Sequence, residues 1–140
     1  MTLREGILSA VMTALDGTSG GGDRIYRSRT EAFNLDEHPA IIVEPVSDTP
    51  ELLATNRIDW TLIFQVIVLV RGQEPDSAAD SIVQSVHNLI MTDSALQALV
   101  MHVAPMATNW QISDADQSLG IVSMQYRALY QSSENDLSSL

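Results

Sequence analysis

Between Arg57 and Arg71 the chain alternates without a break, with Ile58, Trp60, Leu62, Phe64, Val66, Val68 and Val70 at every even position. A period of two over so long a run marks a β-strand whose even face lies in a core. The odd positions read Asp59, Thr61, Ile63, Gln65, Ile67 and Leu69. That second face begins polar and turns apolar, so it needs a cover of its own. The chain must therefore put a packed layer on one side of this strand and something else on the other.

The flanking patterns supply the packed layer. Thr2 and Glu5 have capping-box spacing, and Leu3, Ile7, Leu8, Val11, Ala14 and Leu15 recur at helical intervals, which predicts an amphipathic helix over residues 2–15. Pro75 and Asp76 open a second helix with the stripe Ala79, Ile82, Val83, Val86, Leu89 and Ile90, ending near Met91. Asp93 reads as the N-cap of a short helical turn through Ala95, Leu96 and Leu99. Ile41, Ile42 and Val43, between Pro39 and Pro45, predict a short edge strand over 40–46, and Asp48, Thr49 and Pro50 punctuate its end. Residues 101–112 read as partly extended and interrupted by Pro105, and Val122, Met124, Tyr126, Ala128 and Tyr130 share one face of a last strand. Gly20, Gly21 and Gly22 carry too much backbone entropy for a tight connection and predict a mobile loop, which continues past Arg24, Arg27 and Arg29 into an aperiodic polar stretch over 30–38.

This order predicts an α+β two-layer sandwich: about four mainly antiparallel strands, two helices on one face, and a long mobile loop after the first helix. Residues 1–131 form a single domain and 132–140, rich in Ser, Glu, Asn and Asp, a flexible tail. Such a sandwich leaves one sheet face open. Full burial of Ile63, Ile67 or Leu69 is worth roughly 1.5–3 kcal/mol each, too much to leave wet without a reason. Self-association through these three residues is the economical cover; the alternative is that the loop over 17–39 folds across the face within the same chain.

Composition narrows the function. At 140 residues and 45% apolar content the chain suits one domain with a genuine core. No run of about 18 apolar residues offers a membrane span, and the N-terminus lacks the pattern of a secretory signal, so cytoplasmic synthesis and folding are expected. There are no cysteines, which removes disulfides, thiolate zinc sites and a cysteine nucleophile. The formal charge is −11 and every basic residue is arginine. An acidic chain is repelled by phosphate backbones, so nucleic acid is not an expected partner, and without lysine there is no P-loop or Schiff-base chemistry.

The remaining motifs carry no chemistry. His38, His87 and His102 have no metal-ligand spacing, and Asp114 and Asp116 lack the glycine and terminal glutamate of a calcium loop. Asp76 and Asp80 suit a helix start, where the macrodipole favours negative charge. The three glycines follow a helix instead of preceding one, the wrong order for a phosphate cradle. No catalytic residue, cofactor or metal is expected, and the chain reads as a non-enzyme.

The layout of an N-terminal amphipathic helix, a glycine-bearing loop, HPAIIVEPVSD, a long strand ending in VLVRG, the helix AADSIVQSVHNLIM, and DADQSLG before a terminal strand resembles the minor tail or tail-terminator (tail-completion) proteins of long-tailed bacteriophages. The resemblance spans nearly the whole chain. It implies a structural subunit that assembles with itself into a ring, usually a hexamer, in the virion at the head-proximal end of the tail. There the ring ends polymerisation of the tail tube protein and presents a surface to the head–tail connector protein. A ring needs complementary self-contacts, for which Ile63, Ile67 and Leu69 are the candidates; Gly20, Gly21, Gly22, Arg24, Arg27 and Arg29 are the candidates for the loop that meets tail or neck. A head-closure or head–tail connector subunit is the nearest alternative, and a small ligand-binding domain a more distant one.

Overall fold

The computed structural model describes residues 1–16, 18, 24–29, 39–113 and 118–139, leaving aside the side chains of Leu53, Ala54 and Ser113. The elements run α1 (Leu3–Leu15), β1 (Ile25–Arg27), β2 (Ala40–Ala54), β3 (Arg57–Arg71), α2 (Pro75–Thr92), α3 (Ser94–Leu99), β4 (His102–Ser113) and β5 (Leu119–Ser133). The strands form one five-stranded sheet in the order β1-β2-β3-β5-β4, antiparallel except for the β1–β2 pair. The α+β class with helices on one face is as expected from the pattern.

Each element answers to a local cause. Thr2 Oγ1 accepts from Glu5 N at 3.2 Å and caps α1. The Glu5 carboxylate, however, accepts a bidentate pair of bonds from Arg27, at 3.1 and 2.8 Å, and so joins the first turn of α1 to β1. Asp93 caps α3 by accepting from Leu96 N at 2.8 Å. From Leu62 on β3, and along β5, burial alternates, and the even positions 62–70 of β3 and 122–130 of β5 enter one core with Ile7, Leu8, Val11 and Leu15 of α1, Ile82, Val86 and Ile90 of α2, and Leu96 of α3. Phe64 and Tyr126 stack at its centre, with centroids 5.6 Å apart.

Three elements differ from the sequence expectation. β1 is a strand that three residues cannot announce by periodicity; it exists through pairing, with Ile25 opposite Ile41, Tyr26 opposite Ile42 and Arg27 opposite Val43. β2 does not stop at Val46 but continues through Pro45 and Pro50 to Ala54, with register shifts at 45/47 and 51/54. Among the described residues, this stretch beyond β1 has a neighbour on one side only, so its prolines forfeit no ladder bond there. The segment from 132, read as a frayed tail, begins as the last turn of β5 pairing and then folds back: Leu3 N donates to Leu137 O at 2.8 Å, Glu134 N to Asn56 O at 2.9 Å and Ser133 N to Ser139 O at 2.8 Å. The expected mobile loop lies largely outside the described residues.

Candidate assembly interface

Residues paired across neighbouring strands share a face, so the register defines what the sheet presents away from the helices. Its successive rows, from β2 through β3 and β5 to β4, are Ala40, Leu69, Ile121, Gln111; then Ile42, Ile67, Ser123, Asn109; then Glu44, Gln65, Gln125, Ala107; then Ser47, Ile63, Arg127, Ala104. Tyr26 of β1 extends the second row, with the Arg29 guanidinium 4.5 Å above its ring.

Ile67 and Leu69 thus sit in adjacent rows of one apolar patch with Ile42 and Ile121. Ile63 lies on the same face but apart, because the polar row of Glu44, Gln65 and Gln125 separates it and Arg127 stands beside it. Gln65 Nε2 donates to Glu44 Oε1, so this polar row is tied together within the chain. Sequence alternation put all three candidates on one face but could not see the partition, which depends on what β2 and β5 place opposite them.

The loop candidates fare differently. Gly20, Gly21 and Gly22 lie outside the described residues. Arg24 contributes its backbone carbonyl to Ile41 N at 2.9 Å, and Arg27 is engaged by Glu5 on the helix side. Arg27 holds the Glu5 carboxyl below its usual range. Arg29, by contrast, sits on the open-face side over Tyr26.

A partly buried polar cluster that the sequence did not reveal pins α1 to the sheet from the other side. Tyr130 OH donates to Asp48 Oδ2, Arg4 Nε stands 3.3 Å from the same oxygen, and the Arg4 guanidinium lies 5.2 Å above the Trp60 ring. Trp60 stacks on Tyr130 with centroids 6.2 Å apart and donates to Ser132 Oγ at 2.8 Å. Burial pushes the Asp48 carboxyl up, against the opposing pulls of Tyr130 and Arg4; burial and then Asp48 push the Tyr130 phenol up as well. These four elements meet only in the fold, so nothing local in Arg4 or Asp48 could have signalled the pair. A neutral, hydrogen-bonded tyrosine of this kind is a fixing device and no nucleophile near pH 7.

An open cleft of about 270 Å³ adjoins the cluster, lined by Leu3, Ala98, Leu99, Val100, Met101, Tyr130 and Gln131. Its one tyrosine hydroxyl is already given to Asp48, so few polar groups converge on it, and a small-molecule site needs several. His87 Nδ1 meets Tyr126 OH at 3.0 Å and serves the core. Asp76 and Asp80 are exposed on α2; His102 is exposed on β4; His38, Asp114 and Asp116 lie outside the described residues. Among the described residues no three His, Asp or Glu side chains gather to hold a metal, and no helix is long and apolar enough to cross a membrane.

The chain is thus an open-faced α+β sandwich with a divided apolar surface. No protein-family model matches it, and no curated protein matches it in sequence. In three dimensions it is similar to a chain in the solved structure of the virion of a native gene transfer agent particle. The TM-score is 0.71 at 10% identity, over 92% of this chain and 97% of that one. The two chains share a fold over essentially their full lengths.

Proposed function

We propose that this protein is a structural subunit of a phage-like virion, and specifically a tail terminator: a ring that caps the tail tube at its head-proximal end, stops its growth and offers a surface for joining the head. The observation that carries the reading is the fold, held in common with a chain of a gene transfer agent virion over nearly all of both chains. The layout resemblance to tail-terminator proteins supports it independently. In this reading the subunit performs no chemistry and binds no cofactor. The half-buried Ile67, Leu69 and Ile121, beside Ile42, which is already buried within the chain, form a contact between neighbouring subunits, because a half-buried apolar surface gains most from a second apolar surface.

The test is the solution mass of the purified chain by light scattering, with negative-stain images of any large species and of tail tubes mixed with it. Closed rings with a central hole, or capped tubes, are expected. Ile67→Asp with Leu69→Asp abolishes both, whereas Ile63→Asp, beyond the polar row, weakens them less. Protein that neither forms rings nor caps tubes sinks the terminator reading. Rings that bind tail-less heads but ignore tubes favour a head–tail connector instead.

A further inference from the structure

The two outer edges of the sheet are built in opposite ways. Beyond β1, the free side of β2 carries Pro45 and Pro50, the acids Glu44 and Glu51, and irregular register at 45/47 and 51/54. Prolines lack the N–H that a further strand needs, and charges and bulges repel or misalign one, so this edge is protected against pairing.

The free side of β4 is not. Its first part carries Pro105 and a register shift between Pro105 and Ala107, but residues 107–112, Ala-Thr-Asn-Trp-Gln-Ile, pair in regular register with β5 and contain no proline and no charge. All six are exposed, which includes both the helix-side positions Thr108, Trp110 and Ile112 and the open-face positions Ala107, Asn109 and Gln111. Trp110 is 61% exposed and Ile112 52%. A regularly paired, uncharged edge with a bare tryptophan is a ready template for another strand.

We propose that residues 107–112 of β4 pair with the same residues of a second copy, antiparallel about a two-fold axis, joining two five-stranded sheets into one. The occupant follows from charge and from what the fold offers. In a chain of formal charge −11, two copies approach with least repulsion where neither carries charge. Among the described residues, β4 also holds the longest proline-free, uncharged stretch of strand edge, since β2 is blocked and β1 spans three residues. An antiparallel pair of identical strands is self-complementary, and it sets the Trp110 and Ile112 side chains of one copy beside those of the other. This contact is separate from the apolar patch on the open face and does not depend on the virion reading.

The experiment exploits the absence of cysteine from the chain. Thr108→Cys, Asn109→Cys, Trp110→Cys and Gln111→Cys are made one at a time and oxidised, with Thr49→Cys on the opposite edge as the control. Symmetric pairing gives rapid disulfide dimers at one or two adjacent β4 positions and none at Thr49. In parallel, sedimentation in the Ile67→Asp, Leu69→Asp background shows that adding Trp110→Lys and Ile112→Lys weakens dimerisation, raising Kd by about a hundredfold or more, with an unchanged circular dichroism spectrum. Equal cross-linking at both edges, a monomer at every concentration, or, in the Ile67→Asp, Leu69→Asp background, a dimer that survives the two lysines overturns the proposal. The Ile67→Asp, Leu69→Asp variant, which tests the ring, keeps the β4 cross-link if the two contacts are independent as argued; loss of that cross-link overturns the independence.

Discussion

Gly120→Ala is the sharpest perturbation the fold offers, because a methyl group there has nowhere to go. A Cβ at position 120 lies 2.5 Å from Pro75 Cβ, 3.2 Å from Pro75 Cγ and 3.3 Å from the Pro75 carbonyl carbon. Ordinary carbon contacts begin near 3.5 Å, so β5 and the first turn of α2 must separate by about 1 Å. The proline ring cannot rotate aside, and Pro75 is buried at the start of a helix that packs on β3 and β5. Overpacking of this kind costs about 1–3 kcal/mol. Replacing a strand glycine by alanine returns about 0.5–1 kcal/mol, so the net loss is about 0–2.5 kcal/mol, or up to roughly 8 °C in Tm for a domain of this size. Urea unfolding followed by tryptophan fluorescence and circular dichroism measures it. Pro75→Gly removes the colliding Cβ, and in that background Gly120→Ala should cost distinctly less. An equal cost in both backgrounds, or a Gly120→Ala protein more stable than the parent, refutes the contact as the reason for glycine.

Phe64→Ala removes one half of the central aromatic stack from a fully buried site and should cost about 3–5 kcal/mol, read as a shift in urea midpoint. Ser132→Ala leaves the Trp60 indole N–H without its acceptor and should cost about 1–2 kcal/mol, seen as a lower Tm. Alkaline pH should unfold the protein through its buried tyrosines. Burial pushes the Tyr126 phenol from 10.0 to about 12, so the unfolded chain releases that proton first. The contribution is fully present below pH 10, falls by about 1.4 kcal/mol per unit as pH rises, and is lost by about pH 12. Tyr126→Phe should flatten that slope in pH-dependent urea titrations; an unchanged slope refutes the assignment.

The elements with long patterns are legible in the sequence alone. Seven even positions of β3 and the stripe of α2 state their period many times over, so strand, helix and buried face follow from sequence alone. Asp93 and Thr2 announced their caps because capping is a contact between near neighbours. β1 is not legible, since three residues hold no period, and β2 runs longer than its prolines suggest because prolines that end an inner strand are tolerated on an outer edge. Of the candidate site, the alternation of β3 puts Ile63, Ile67 and Leu69 on one face. Their division by Glu44, Gln65 and Gln125 was hidden, because it joins residues from three strands.

The sequence by itself determined the α+β class, the helix-facing core positions of β3, β5 and α2, and the poverty of the chain in reactive groups, since each depends on residue type and short-range period. Only the tertiary structure decided which strands neighbour one another. That order made β4 a bare edge and β2 a guarded one, brought Arg4 to Asp48 and Tyr130, and set Gly120 under Pro75. Contacts of that kind are chosen by the global packing of layers, which satisfies the hydrophobic faces and hydrogen bonds of all the strands together, and no local stretch of sequence records the choice.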